Sequence, residues 1–144
     1  MSIWFAASPD LTALNRTFKK GLATYLNINV TAIGDNWLLG TLPVTERTHQ
    51  PMGLLHGGAS VVLAETLGSV GSYLCIDPDK YVCVGQEINA SHLRGIAEGT
   101  LIATATPVRI GRTVHVWRIE LTDESGRGIC DARCTLAVIQ APTS

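Results

Sequence analysis

The 144-residue sequence is short of charge and has no concentration of either sign. Charged residues make up 16% of the chain and the formal net charge is −1. Nothing in that balance recommends nucleic acid or an anionic membrane surface as a partner. Long apolar runs are also missing, because Glu65 interrupts the best candidate for a bilayer span. The start, MSIWFAASPD, has no basic residues before its apolar patch, and the patch is too short for a signal-peptide core. Cys75, Cys83, Cys130 and Cys134 form neither a CxxC pair nor a zinc-like spacing. The expectation is four reduced, mostly buried thiols in a cytoplasmic protein. The four histidines, His49, His56, His92 and His115, have no metal-ligand spacing, and no HExxH occurs. There is no GxSxG, which disfavours the usual elbow-type serine hydrolase. No Walker or Rossmann glycine pattern follows a predicted strand.

What is present is 46% hydrophobic residues in a length that suits one domain, residues 1–144, with no repeat and no linker. That composition excludes disorder. Small molecules or other proteins remain as partners.

The chain is organised around the run from Gln50 to Ile76, QPMGLLHGGASVVLAETLGSVGSYLCI. Ala59, Leu63, Leu67, Val70 and Leu74 keep one helical face apolar. Val61, Val62 and Ala64 fill the other sides, which predicts a buried helix. Gly57 and Gly58 stand where it begins, directly after His56.

The other elements follow from periodicity and punctuation. Ser8 suits the cap of a first helix and Pro9 its first turn. Leu11, Leu14 and Phe18 form its apolar stripe, and Gly21 is its stop after Lys19 and Lys20. Alternation from Leu26 to Ala32 predicts a strand, and Trp37 to Val44 its hairpin partner across Gly34-Asp35-Asn36. Pro43 makes that second strand an edge or marks its end. Four strands come after the long helix: Tyr81–Leu93, Gly99–Val108, one around His115–Leu121 and one around Ala132–Val138. Gly85 inside the first of them implies a bulge or a close backbone approach. Strands joined by short turns favour an antiparallel sheet, and one long helix on such a sheet is α+β architecture. One helix covers one face of the sheet, so much of the other must meet solvent or another subunit, and an oligomer is expected.

Glu65 is the one charged residue in its run, and a lone buried carboxylate is costly unless it is paired, protonated or in use. It either pairs with an arginine from a neighbouring strand or carries chemistry. Ser69, four residues on, shares its helical face and can bond the carboxylate or a water, or is simply small for packing. Gly57 and Gly58 put bare N–H groups at the positive end of the helix dipole, where a carbonyl gaining charge is stabilised. They also suit an ordinary glycine-rich helix start. Gln50 and His56 bring side-chain donors, and His56 is better suited to orienting the loop than to acid–base work. Arg94, Arg109 and Arg112 lie at strand ends beside glycines, where they either gather round phosphates or remain solvated.

The segment QPMGLLHGGASVVLAETLGS resembles the signature of hot-dog-fold acyl-CoA thioesterases. It is most similar to the bacterial 1,4-dihydroxy-2-naphthoyl-CoA and hydroxybenzoyl-CoA branch, with the enterobactin-pathway proofreading thioesterase as a near relative. INASHLRG at 88–95 and GRTVHVW at 111–117 resemble later segments of the same proteins, so the likeness covers nearly the whole chain. The resemblance implies a long central helix wrapped by a curved antiparallel sheet of about six strands, in a homodimer that assembles to a homotetramer. It implies that Glu65 is the catalytic carboxylate, acting on a thioester carbonyl held by the Gly57 N–H, with the site between subunits. Gln50 and His56 match positions that orient the thioester or substrate loop, and Ser69 matches one that places the target of Glu65 or its water. Gly85, His92, Leu93, Arg94 and Gly95 match coenzyme A-contacting positions, as do Arg109, Ile110, Gly111, Arg112, Thr113 and Val114. Gln86 departs from the apolar residue expected there, and Ser91 stands where relatives usually have Asn.

The expected function is therefore hydrolysis of an acyl-CoA thioester with an aromatic acyl group. No metal or redox cofactor is expected; coenzyme A is part of the substrate. The alternative is a non-catalytic acyl-CoA binder, against which the ionisable Glu65 counts, because holding an apolar acyl group requires no carboxylate. A hot-dog dehydratase ranks lower, since no Asp matches in the loop before the helix.

Overall fold

The structure is a computed structural model describing residues 1–18 and 20–143. Lys19, within the expected stop of the first helix, and Ser144 of the tail lie outside the described residues. The elements run α1 (Leu11–Arg16), α2 (Leu22–Tyr25), β1 (Asn29–Ile33), β2 (Leu38–Val44), a 3₁₀ turn (Glu46–Thr48), α3 (Gly57–Leu74), β3 (Tyr81–His92), β4 (Gly99–Ile110), β5 (Val114–Thr122) and β6 (Gly128–Gln140). The six strands form one antiparallel sheet in the order β1-β2-β4-β5-β6-β3. The segment after β3 crosses over, so β3 pairs with β6 at one end of the sheet.

The alternating residues of the later strands fall as expected. Leu101, Ala103 and Ala105 of β4, Trp117, Ile119 and Leu121 of β5, and Cys134 and Leu136 of β6 are buried. They meet Leu63, Ala64 and Leu67 of α3, which are wholly buried and pack into the concave face of the sheet. The helix touches every strand from β2 to β6.

Several local expectations are corrected. Asp10, not Ser8, caps α1, its carboxylate accepting the Ala13 N–H at 3.0 Å. An ionised acceptor answers the positive helix end better than a hydroxyl, and Pro9 stands before the cap. The helix ends at Arg16, and Gly21, with φ +89°, begins α2 rather than ending α1. The first strand starts at Asn29, since Leu26 caps the end of α2. Pro43 does not make an edge: β2 lies between β1 and β4, and Pro43 is its penultimate residue. The helix α3 is buried on one side only, with Val61, Val62, Glu65, Thr66 and Ser69 half-buried and Tyr73 exposed.

The two edges of the sheet differ. Asn15 of α1 caps the β1 edge, its amide donating to the Val30 carbonyl at 2.7 Å and its carbonyl accepting the Val30 N–H at 2.9 Å. The β3 edge, twelve residues long, has no strand partner among the described residues on the side away from β6. The bulge expected at Gly85 is present, with the register slipping between Gly85 and Glu87, so Gln86 is the extra residue. A bulge residue is unpaired, which accounts for a polar side chain where an apolar one was expected. All four cysteines are free: Cys130 and Cys134 are buried, Cys75 and Cys83 half-buried. Burial pushes the thiols of Cys75 and Cys134 up to about 12 and that of Cys83 up to about 11.

Candidate active site

The loop between β2 and α3 is fixed before it reaches the helix. Thr45 and Thr48 form a reciprocal capping pair over the 3₁₀ turn. The His56 N–H donates to the Thr48 carbonyl at 2.8 Å, and the Leu55 N–H to the Ile96 carbonyl at 2.7 Å. His49 Nε2 lies 2.7 Å from the Ala97 carbonyl. Two stretches far apart in sequence, 49–56 and 92–97, are thereby laid side by side. Between them is a cavity of about 420 Å³ whose lining includes Gln50, Gly57, Ser60, His92, Arg94 and Ile129.

At the mouth of the helix, His56 is the N-cap. Its Nδ1 accepts the Gly58 N–H at 2.8 Å, which ties the ring to the first turn of the helix and engages that amide. The Gly57 N–H has no acceptor among the described residues and stands at the positive end of an 18-residue helix. A Cβ on Gly57 would lie 2.8 Å from His92 Nε2 and 2.9 Å from its Cε1, so the imidazole rests directly on this residue. The Gln50 side-chain carbonyl turns back to accept the Met52 N–H, leaving its amide N–H₂ to face the cavity.

Glu65 lies two turns further along, half-buried and in no ion pair among the described residues. The arginine pairing considered as its structural role is not formed. Its Oε1 lies 2.6 Å from where a Cβ of Gly85 would stand, so the carboxylate occupies space that a side chain on β3 would fill. It also lies near Cys134 of β6, whose thiol is raised first by burial and then by the charges of Glu65 and Glu87. Ser69 shares the Glu65 face, but its hydroxyl makes no hydrogen bond to the carboxylate.

The structure divides the remaining candidates. His92, Leu93, Arg94 and Gly95 line the cavity at the N-terminal end of α3. Arg109, Ile110, Gly111, Arg112, Thr113 and Val114 form the β4–β5 hairpin at the far end, closed by the Gly111 N–H donating to the Val114 carbonyl at 2.9 Å. The twelve residues of β4 put roughly 35 Å between these ends at about 3.3 Å per residue. Arg94 therefore does not gather with Arg109 and Arg112 within one chain. Ser60 and Ile129 also line the cavity; Ser60 lies within the signature run without being singled out there, and Ile129 has no motif to mark it. Ser60 has only its place one turn past Gly57 as a signal, and Ile129 arrives through the pairing of β6 with β3.

Gly57 and Glu65 are eight residues apart on the same helix, about 12 Å of rise. The N–H of one and the carboxylate of the other cannot meet on a single carbonyl within one chain. They are a carboxylate and an unengaged backbone N–H, held on one rigid element but out of each other's reach.

Known proteins place this chain. The family model described as "Thioesterase superfamily" matches residues 52–130. The 1,4-dihydroxy-2-naphthoyl-CoA hydrolase of Escherichia coli is 47% identical over 129 residues, covering 90% of this chain and 94% of that one. The proofreading thioesterase EntH of Cronobacter turicensis is 46% identical over 129 residues, covering 90% and 93%. A crystal structure of a mutant of thioesterase PA1618 from Pseudomonas aeruginosa superposes with a TM-score of 0.95 at 49% identity, covering 97% of this chain and all of that one. The six-stranded antiparallel sheet around α3 is the hot-dog fold of these structures, and the chain belongs to the thioesterase superfamily as a thioester hydrolase.

Proposed function

We propose that this enzyme hydrolyses acyl-CoA thioesters with an aromatic acyl group, such as 1,4-dihydroxy-2-naphthoyl-CoA or a hydroxybenzoyl-CoA, to the free acid and coenzyme A. The observation that carries the proposal is Glu65: a half-buried carboxylate with no cation partner among the described residues, in a pocket cleared for it by Gly85. A carboxylate left unpaired at such a place is better explained by use than by structure. The E. coli hydrolase at 47% identity favours the aromatic substrate.

The 12 Å between Gly57 and Glu65 is bridged by a second chain. Pairing β3 with the β3 of another copy about a two-fold axis sets the two α3 helices antiparallel. The N-terminal end of one chain then lies beside the far end of the other. Gly57 of one protomer comes to face Glu65 of its partner, and the hairpin at 109–114 joins the cavity lined by His92–Gly95. The free edge of β3 supports this reading, since an unpaired strand of that length is a template for another strand. The dimer so formed is proposed to associate further into a homotetramer, acting in the cytoplasm with no metal or redox cofactor.

In the reaction, the thioester carbonyl accepts the Gly57 N–H and develops negative charge there against the helix dipole. The Glu65 carboxylate either attacks the carbonyl carbon, releasing the coenzyme thiolate and leaving a mixed anhydride for water to open, or removes a proton from the attacking water. His56 holds the loop, Gln50 orients the thioester and Ser69 places the water or the target of Glu65.

Thiol release from benzoyl-, hydroxybenzoyl-, dihydroxynaphthoyl-, phenylacetyl- and medium-chain acyl-CoA, with Glu65→Gln run in parallel, tests this. An aromatic member is expected to give a kcat/KM above about 10⁴ M⁻¹s⁻¹. Glu65→Gln is expected to lower kcat by on the order of 10³-fold or more. A Gln variant that keeps most of the activity overturns the role of Glu65, and a preference for linear chains overturns the substrate class.

A further inference from the structure

An oxyanion is best held by two donors, and the backbone here offers one. The Gly58 N–H, the natural companion of the Gly57 N–H on the first turn of α3, is taken by His56 Nδ1 at 2.8 Å. The Gln50 carbonyl is turned to Met52, and the atoms nearest the Cβ position of Gly57 belong to His92. The side-chain ring nearest to this place is that of His92. His92 ends β3 on the face that looks toward α3, and the residue opposite it on β6 is the buried Cys130. Its Nε2–Cε1 edge lies against Gly57, with Nε2 2.8 Å from the position of a Gly57 Cβ. Neither ring nitrogen of His92 has a hydrogen-bond partner among the described residues, and the ring opens into the 420 Å³ cavity with Gln50 and Arg94. An imidazole in van der Waals contact with the donor residue of the site, with its own N–H uncommitted, suits hydrogen bonding to whatever oxygen that residue holds.

We infer that His92 Nε2–H is the second oxyanion donor of this thioesterase, completing with the Gly57 N–H the pocket for the thioester oxygen. This goes beyond the coenzyme contact expected of the His92–Gly95 segment, and it rests on the reading of Gly57 as the first donor. The absence of a side chain at Gly57 follows from the same contact. Any Cβ there would push the imidazole off the oxygen it serves. Thr48, Leu54 and Ile96 fix the two neighbouring stretches through backbone hydrogen bonds, so the geometry does not depend on substrate to form.

The test is steady-state kinetics on the best aromatic acyl-CoA of the panel, with His92→Phe, His92→Gln, Gly57→Ala, Glu65→Gln and the double variant Gly57→Ala/His92→Ala. His92→Phe keeps a ring against Gly57 and removes the N–H. It is expected to lower kcat about 10²-fold, the usual effect of losing one oxyanion donor, with KM moving less than threefold. His92→Gln, which restores an N–H donor, is expected to recover at least tenfold of that loss. Gly57→Ala is expected to be as impaired as His92→Phe, and adding His92→Ala to it should lower kcat by less than twofold more, because the imidazole is already displaced. A His92→Phe enzyme with unchanged kcat and a raised KM overturns the inference, making His92 a coenzyme contact only. Multiplicative losses in the double variant overturn it as well. Should His92→Phe fail to fold, judged by its melting curve, the Gly57→Ala pair decides alone. Glu65→Gln keeps the two readings separate: if it abolishes turnover while His92→Phe leaves kcat unchanged, only the second donor is wrong.

Discussion

The carboxylate of Glu65 on α3 occupies the space where a side chain of Gly85 on β3 would stand, its Oε1 2.6 Å from that Cβ position. The bulge begins at this same residue, so the strand bends where it passes the carboxylate. Gly85→Ala therefore tests the pocket without touching the acid itself. The group it displaces is the end of a flexible side chain, so the fold should accommodate the methyl and the carboxylate should move. The expected result is a loss of kcat on the order of 10²-fold, the effect of misplacing a catalytic group by about 1 Å, with a melting temperature within a few degrees of the parent. Unfolding of the variant, or unchanged kcat, contradicts this account of Gly85.

Gly71 gives the opposite case. A Cβ there would lie 2.7 Å from Cζ2 of Trp117. That indole is wholly buried, donates to Ser72 Oγ at 2.8 Å and stacks on Trp4 with ring centroids 6.3 Å apart. A rigid, hydrogen-bonded ring cannot yield as Glu65 can. Gly71→Ala should destabilise the protein by about 1–3 kcal/mol, the usual effect of overpacking a core, measured by urea unfolding. Gly71 is buried against Trp117, on the side of α3 turned away from the half-buried Glu65 and Ser69, so the folded fraction should keep its KM.

Asp123 predicts an acid-side dependence of stability. Its carboxylate accepts the Ser125 hydroxyl at 2.7 Å, the N–H groups of Ser125 and Arg127, and the Arg127 Nε–H at 2.8 Å. The Ser125 hydroxyl foremost, with these other donors, holds it down to about 2 from an ordinary 3.8. Because the folded value is lower than the unfolded one, its contribution is fully present above about pH 4 and is lost as the pH falls through about 2. Asp123→Asn should melt lower than the parent at pH 7, and the gap between the two should close between about pH 4 and pH 2. A gap that stays constant across that range contradicts the assignment.

Much of this protein was legible in order of residues. The greasy run with HGG at its head gave a central helix starting at Gly57, and alternation gave the inward faces of β4, β5 and β6, because burial on one side of a sheet repeats every two residues. Glu65 stood out since a charge in an apolar run has few reasons to be there. The resemblance of the same run pointed to the hot-dog thioesterases, to which the family match and the superposition assign it.

Contacts between distant segments are another matter. That β3 pairs with β6 instead of β4, that His92 rests on Gly57, that Gly85 makes room for Glu65 and that Trp4 stacks on Trp117 depend on which strand crosses over which. Local periodicity carries no such information. The ends of the short helices were misread for a related reason: Ser8, Asp10 and Gly21 all have capping chemistry, and packing of α1 on β1 through Asn15 selects among them. Residue order alone shows which side chains are apolar and which carry chemistry, and the eight-residue spacing on one stiff helix already puts Gly57 about 12 Å from Glu65. The packing of strands decided which distant groups meet, His92 on Gly57 and Glu65 in the space beside Gly85, because a crossover joins segments that no local pattern links.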